Sequence, residues 1–456
     1  MSSLLQGNDA GAIAGALLLI KPDLNPSPAT VGLLVTASTF GAILGSVIAP
    51  RLLEAGRIPV LRLGGTLFAL SAGLCYNAPS TDYLIAARLI AGLAMGACSS
   101  AVPLYVSECS PVEKRGTYAT IPQFMISSGI LLAYIVDLLI LRNAGPNWRL
   151  MLGAAVVPSL IQLFLTFQPK ILPESPRYLV GKGRAEEGRA ALTTLRGVGA
   201  DVGKELHGMT AAGGREAGGK GAGAAGKTFV DMLRDPLARS RMLICVVLQV
   251  CQQLAGINAI VYFTPLILRE AGVASLLKTA LSITDPNEAS LLSTVIAYTP
   301  KIPALVLASK LMDKMGRRSM LLNFVPVMGL ALATLASALK FLEPGNPLRG
   351  ALGVLSIMTY GVSFCLSLGP IPSILSSEIF PPEFRSIGMS TSVGMQWIAN
   401  AVVSLSFPVL QSQFGTEKLL WFFAAMCGVT WAFTLRFVPE TKGRSLEEIG
   451  RGGGGA

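Results

Sequence analysis

An acid and an arginine recur in this chain in one fixed spacing. Glu108-Cys-Ser-Pro-Val-Glu-Lys-Arg115 returns as Glu378-Ile-Phe-Pro-Pro-Glu-Phe-Arg385, and each copy sits between two apolar runs. Carboxylate and guanidinium groups pair through parallel charge-assisted hydrogen bonds, so they can latch neighbouring helices in one state and release them in another. Two further landmarks echo in the same order: Gly56-Arg57 with Gly316-Arg317-Arg318, and Pro173-Glu174-Ser-Pro-Arg177 with Pro439-Glu440-Thr-Lys-Gly443. The chain is a duplication. Asp9 and Arg88 offer a different chemistry. They are opposite charges inside apolar runs, where a functional pair is the default reading and a moving Arg can switch a carboxyl between holding and releasing a proton. The plainer alternative is a static pair joining two helices. A third set consists of amides: Gln252, Gln253 and Asn258 share one apolar stretch, with Gly256 between them allowing local unwinding.

These groups need helices in a membrane to hold them. Of the 456 residues 52% are hydrophobic and 14% charged, and the mean hydropathy of +0.58 contradicts a soluble chain. Apolar runs between charged or Pro/Gly punctuation give twelve spans, at 1–20, 30–50, 60–77, 82–107, 116–140, 148–170, 241–268, 290–311, 319–341, 350–377, 386–411 and 418–437. Helices of about 20 residues cross roughly 30 Å of hydrocarbon. The predicted organisation is an N-terminal six-helix bundle over 1–170, a cytosolic loop over 171–240, a C-terminal six-helix bundle over 241–438 and a cytosolic tail over 439–456. The loop begins with an amphipathic helical pattern from Ala185 to Leu195, with Glu186, Glu187 and Arg189 outward. It then turns Gly/Ala-rich from Gly197 to Gly226, too poor in apolar side chains to offset its ordering entropy.

The net charge of +11 is distributed by loop. Arg51, Arg57 and Arg62, then Lys114 and Arg115, the stretch from Arg177 to Arg241, Lys310 to Arg318, Arg385, and Arg436 to Arg451 occupy alternate connections. Positive loops stay on the cytosolic side, so both termini are expected there, and the basicity reads as topology with no nucleic-acid partner. Most of the seven cysteines fall in apolar segments as small hydrophobes, and their spacing suggests neither disulfides nor a metal site. The single histidine, His207, reads as a solvated loop residue. No nucleophile-base pair, metal cluster or phosphate loop is evident, so neither an enzyme nor a cofactor is expected. No basic region precedes the first apolar run, which argues against a signal peptide. Asp9 has only about 12 Å of helix before it, so either the first helix starts abruptly or N-terminal residues are missing.

Six phrases in register resemble the sugar porter family of the major facilitator superfamily. They are Arg88-Leu-Ile-Ala-Gly92 with Pro103-Leu-Tyr105-Val-Ser-Glu108-Cys-Ser-Pro111 and Arg115-Gly116; Pro173-Glu-Ser-Pro-Arg177-Tyr-Leu179; Gln252-Gln253-Leu-Ala-Gly256-Ile257-Asn258 with Tyr262; Asp313-Lys-Met-Gly316-Arg317-Arg318; Gly369-Pro370-Ile-Pro372 with Ser377-Glu378-Ile-Phe-Pro381; and Pro439-Glu440-Thr441-Lys442-Gly443. The resemblance covers nearly the whole chain. It implies an all-α membrane protein whose twelve transmembrane helices form two pseudo-symmetric six-helix bundles, the major facilitator fold, with a helical cytosolic loop between the halves. It also implies a cytosolic gate of charges: Glu108, Arg115, Glu174, Arg177, Asp313, Arg317, Arg318, Glu378, Arg385 and Glu440.

A sugar needs amides for its hydroxyls and an apolar face for its ring. Gln252, Gln253 and Asn258 fit the first need, although isolated amides in membranes more often join helices. The resemblance places Gln123, Gln396, Trp397 and Asn400 in the same cavity, with Ile126 and Ile130 as walls on the helical face of Gln123. Two positions depart from the family. Ser373 stands where an aromatic residue is usual, and Lys301 stands where many hexose carriers have Asn and some plant vacuolar and plastid relatives have Lys. Lys301 lies roughly 18 Å along its helix from Asp313 and is expensive there unless it faces the cavity or a partner. Proton-coupled members resemble this chain in having Asp at the position of Asp9. The expected function is therefore proton-coupled transport of a monosaccharide, hexose or pentose, by a monomer in a bilayer, in a plasma, vacuolar or plastid membrane. The alternatives are a facilitative uniporter and a membrane sugar sensor, against which the short tail after Gly443 argues.

Overall fold

Hydrocarbon satisfies no backbone donor or acceptor, so each apolar run must close its own hydrogen bonds. The computed structural model describes residues 1–111, 118, 120–197, 202, 203, 205–207, 209, 229–380 and 384–442, apart from the side chains at 309, 313, 385 and 386. The regular elements are helices. The first six spans are α1 (Ser2–Leu24), α2 (Pro28–Leu53), α3 (Arg57–Tyr76), α4 (Thr81–Cys109), α5 (Ile121–Ala144), and α6 (Trp148–Gly153) with α7 (Val156–Thr166). Short helices α8 (Pro176–Gly181), α9 (Ala185–Arg196) and α10 (Phe229–Arg234) follow. The last six spans start with α11 (Pro236–Leu254) and α12 (Ile257–Glu270); beyond α13 (Val273–Leu281) come α14 (Pro286–Tyr298) and α15 (Lys301–Met315). The chain ends with α16 (Arg317–Phe341), α17 (Pro347–Leu366) and α18 (Ile371–Ile379), α19 (Arg385–Phe414) and α20 (Thr416–Phe437). Among the described residues, twelve stretches are long and apolar enough to cross a membrane, and each overlaps a span expected from the sequence. The chain is a multi-pass integral membrane protein.

Four of those spans are broken; the weak point at Gly256 was expected from the sequence, and the other three spans had read as continuous helices. The breaks fall at residues that remove a backbone donor or demand an unusual φ. Pro158 follows the gap between α6 and α7, Pro300 and Pro303 flank the start of α15, and Gly369-Pro370 separates α17 from α18. Gly256, at φ +89°, separates α11 from α12, and a Cβ there would come within 2.7 Å of Phe423. The nine-residue α13 was not anticipated; it lies in a stretch read from sequence as a connection.

The helices pack as two compact units. Unit 1 comprises Met1–Asp9, Ala37–Ile130 and Arg149–Ala225. Its α2 and α4 cross so closely that a Cβ on Gly41 would lie 2.2 Å from the Leu89 carbonyl, and one on Gly92 would lie 2.2 Å from that of Ser38. Gly45 and Gly96 repeat the contact one turn on. Small residues four apart on both helices are the usual means of bringing membrane helices into backbone contact. Within this unit α9 exposes Glu186, Glu187 and Arg189, as its amphipathic pattern predicts. The Gly/Ala-rich stretch after it falls almost wholly outside the described residues.

Unit 2 comprises Ala10–Thr36, Leu131–Trp148 and Gly226–Ala456. In it α16 packs along α20 and α17, and α11 along α19. Gly32 on α2 meets the Leu405 carbonyl of α19, 2.4 Å from where its Cβ would sit. Six of the seven cysteines across the chain are buried, and His207 is exposed.

Candidate functional site

The duplicated charges build the same small structure twice. In unit 1, Arg57 is the first residue of α3, and its Nε and Nη2 donate to Glu108 Oε2 and Oε1 at 2.9 and 2.7 Å. Glu174 accepts from the backbone N–H groups of Arg57 and Ile58, both at 3.0 Å. Helix starts leave N–H groups unpaired and carry partial positive charge, so a carboxylate from a distant part of the chain caps α3. Gly56 makes room for it: its φ is +124°, and a Cβ would lie 2.6 Å from Glu174 Oε2.

In unit 2, Arg317 opens α16 and donates from Nη2 to Glu378 Oε1 at 2.8 Å. Glu440 accepts from the N–H groups of Arg317 at 2.9 Å and Ser319 at 3.4 Å. Gly316 has φ +89°, and its Cβ would lie 2.5 Å from Glu440. Here Thr441 Oγ1 donates to Glu378 Oε2 at 2.6 Å. Glu108 and Glu378 therefore meet the arginines of the Gly-Arg landmarks. Arg115 lies outside the described residues, as do the side chains of Asp313 and Arg385. Arg177 is exposed, and Arg318 donates to the Leu435 carbonyl at 2.7 Å. Arg57, the partner of Glu108, was not among the gate charges selected from the sequence, although its echo of Arg317 was visible.

Asp9 and Arg88 meet inside unit 1. Arg88 Nη1 and Nη2 lie 3.3 and 3.1 Å from Asp9 Oδ1 and Oδ2, and Nη2 also donates to Ser38 Oγ at 3.1 Å. The arginine side chain is 1% exposed and the aspartate 13%. The glycine crossing of α2 on α4 sets this geometry, because Ser38 and Arg88 each lie about one turn before it. A pair so far removed from water is costly to break, since either partner alone would be left as an uncompensated buried charge.

The amides of unit 2 form a chain. Asn258 Nδ2 donates to Gln253 Oε1, Gln253 Nε2 to Gln252 Oε1 at 3.1 Å, and Gln396 Nε2 to the same Gln252 oxygen at 3.0 Å. Gln252 Nε2 then donates to the carbonyls of Leu368 and Gly369, in the gap between α17 and α18. In return Tyr360 of α17 donates its hydroxyl to the Ala255 carbonyl, in the gap between α11 and α12, at 2.9 Å. Two interrupted helices thus satisfy each other's freed backbone, which is how irregular backbone survives at membrane depth. Such a network can exchange partners with the hydroxyls of a polar ligand at little net cost, because each bond broken is replaced by a similar one.

The remaining residues are placed as follows. Gln123 is exposed near the start of α5 in unit 1, with Ile126 half-buried and Ile130 buried. The Ile126 carbonyl lies against Gly7 of α1. Asn400 accepts from Ser404 Oγ at 3.0 Å on its own helix, and Trp397 is half-buried. Ser373 is exposed. Lys301 is buried at the start of α15, with Nζ 4.1 Å from the centre of the Tyr298 ring and its stem against Gly361 of α17. Tyr360 and Ser38 complete these clusters, and neither was singled out from the sequence, since a hydroxyl in an apolar run carries no signal of which carbonyl or guanidinium it will meet.

The profile of the sugar (and other) transporter family matches residues 1–452. The chain is 34% identical to the putative metabolite transport protein YwtG of Bacillus subtilis, over 98% of this chain and 92% of that one. It is also 34% identical to plastidic glucose transporter 4 of Arabidopsis thaliana, over 98% and 78%. Among solved structures, the inward-open xylose transporter XylE from E. coli superposes with a TM-score of 0.79 at 25% identity, covering 98% of this chain and 96% of the other.

Proposed function

The chain belongs to the sugar (and other) transporter family and has the major facilitator fold, and from that premise we propose that it carries a monosaccharide, hexose or pentose, coupled to protons. The observation that carries the reading is the amide chain Asn258–Gln253–Gln252–Gln396, anchored where two membrane helices are interrupted. Its groups are neutral and able both to donate and to accept, as a polyhydroxyl cargo requires. Lys301 adds a terminal nitrogen on α15 that can donate to a hydroxyl. Gln123, with Ile126 and Ile130, Trp397 and Asn400 are proposed as further contacts.

Coupling is assigned to Asp9 and Arg88. Protonating Asp9 removes its attraction for Arg88, so proton binding and the arrangement of α1, α2 and α4 become linked. Two six-helix halves would then alternate access, with the Arg57–Glu108–Glu174 and Arg317–Glu378–Glu440 clusters each bracing the helix ends of its own unit. Support comes from XylE, which is described as a proton:xylose symporter. Uniport without proton movement is the competing outcome. In proteoliposomes, an imposed pH gradient should drive labelled-sugar accumulation by the wild type, and Asp9→Asn should abolish that response. Equal responses from the two proteins would remove Asp9 from coupling. Gln252→Ala should raise the KM for sugar roughly tenfold to a hundredfold, the worth of one or two lost hydrogen bonds in a dry site; an unchanged KM would remove the amide chain from the binding site.

A further inference from the structure

α5 carries a carboxylic acid that belongs to none of the sites above. Asp137 is 0% exposed, and both its carboxyl oxygens are buried without a hydrogen-bond partner. It stands seven residues before the end of α5, roughly 10 Å into the helix. Gly15 of the neighbouring α1 packs against it: a Cβ there would lie 2.1 Å from Asp137 Oδ2. The titratable group facing it from its own helix is Tyr134, one turn earlier, and Tyr262 of α12 stands beside Tyr134. The Tyr134 hydroxyl is committed to the Val261 carbonyl at 2.8 Å. From α14, the Tyr298 ring packs edge-on against Tyr134, with ring centres 5.5 Å apart, and holds Lys301 Nζ on its face. The other charges at this end of α5 are engaged elsewhere, Arg142 with Glu288 at 2.7 Å and Asp23 with Trp148 Nε1 at 2.7 Å.

We propose that Asp137 is a second proton-binding site of this carrier, occupied in this conformation and emptied in another state of the cycle. The inference rests on the coupled-carrier reading above. An ionised carboxylate with neither a hydrogen bond nor a counter-ion is far more costly in hydrocarbon than a neutral acid, so here the group holds its proton. A neutral acid that makes no hydrogen bond does nothing for the fold that an apolar residue would not do better, which leaves its ability to ionise as its use. Release requires only that α1 move. Gly15 of α1 packs against the carboxyl, and α1 is also the helix that carries Asp9. Once α1 shifts, water or a donor can reach the oxygens, and their solvation favours the resulting carboxylate. One helix displacement would thereby act on two carboxyls.

Static-head accumulation tests this without depending on transport rate, because each coupled proton multiplies the sugar ratio about tenfold per pH unit of gradient. The wild type should accumulate labelled sugar about a hundredfold across one pH unit and Asp137→Asn about tenfold. Equal accumulation by the two proteins, at about tenfold, would overturn the proposal while leaving Asp9 coupling intact. No accumulation by the wild type would sink the coupling reading and this inference with it. If Asp137→Asn does not fold, dicyclohexylcarbodiimide, which adds to protonated carboxyls in apolar surroundings, serves on the unmutated protein. Labelling of Asp137 that changes on saturation with sugar supports the site, and absent or sugar-independent labelling refutes it.

Discussion

Unit 1 seats Glu108 on Arg57 through two guanidinium bonds, whereas unit 2 seats Glu378 on Arg317 through one and completes the carboxylate with Thr441. Arg317 Nε is left buried and unpaired. The caps beneath these pairs are alike, each a remote glutamate on a helix start opened by a left-handed glycine. Away from the clusters the units no longer resemble each other: one holds an ion pair at Asp9 and Arg88, the other a chain of neutral amides. Duplication has preserved the parts whose job is mechanical, where a helix start needs the same anion in either copy. It has let the parts proposed to meet cargo or proton diverge, because one asymmetric ligand cannot be bound by two identical half-sites.

The comparison can be broken most severely at Arg88. Arg88→Met should cost about 3–5 kcal/mol by stranding Asp9 in unit 1, read as a large fall in the thermal midpoint of the detergent-solubilised protein; a shift no larger than that of Asp9→Asn would mean the lone aspartate is not stranded as its burial implies. Next come the glycine caps. Gly56→Ala and Gly316→Ala should each cost about 1–3 kcal/mol, since both force an L side chain into a left-handed backbone and onto a glutamate. If only one of the two lowers the midpoint, the caps are not equivalent. Smaller still is the difference between the ion pairs. Arg57→Lys should destabilise more than Arg317→Lys by about 1 kcal/mol, because only Arg57 uses a bidentate fork that lysine cannot copy; the reverse order would contradict the geometry.

The smallest effect is expected at the exposed Arg184–Glu187 pair, 2.5 Å apart at the start of α9. Its hydrogen bond to Arg184 holds the Glu187 carboxyl below the usual carboxylate range. A carboxyl lowered in the folded state contributes stability above its unfolded range and loses it as pH falls through the folded value. Because both groups are in water, Glu187→Gln should leave the thermal midpoint unmoved at neutral and acidic pH alike. A measurable drop confined to neutral pH would show that α9 is held more firmly than its exposure implies.

Much of this was open to inspection in the sequence. The twelve spans could be placed because hydrocarbon tolerates long apolar runs and little else, and Gly256 announced a weak point in a run that otherwise reads as helix. Arg57 was overlooked for a physical reason: pattern places Glu108 and Arg115 in the same phrase, but a guanidinium reaches whichever carboxylate the packing of α3 on α4 brings near it. Asp137 was overlooked at the edge of an apolar run, where an acid reads as the end of a span until a neighbouring helix is seen to bury it.

The chain by itself determined its membrane class, its duplication, its number of apolar spans and the identities of its polar groups, all properties of local composition and repetition. Only the tertiary structure decided which acid meets which arginine, that the gaps in α11/α12 and α17/α18 serve each other, and that Asp137 is buried against Gly15. Those outcomes depend on which residues without side chains allow two backbones to approach, and a close approach between distant segments has no signature in either segment alone.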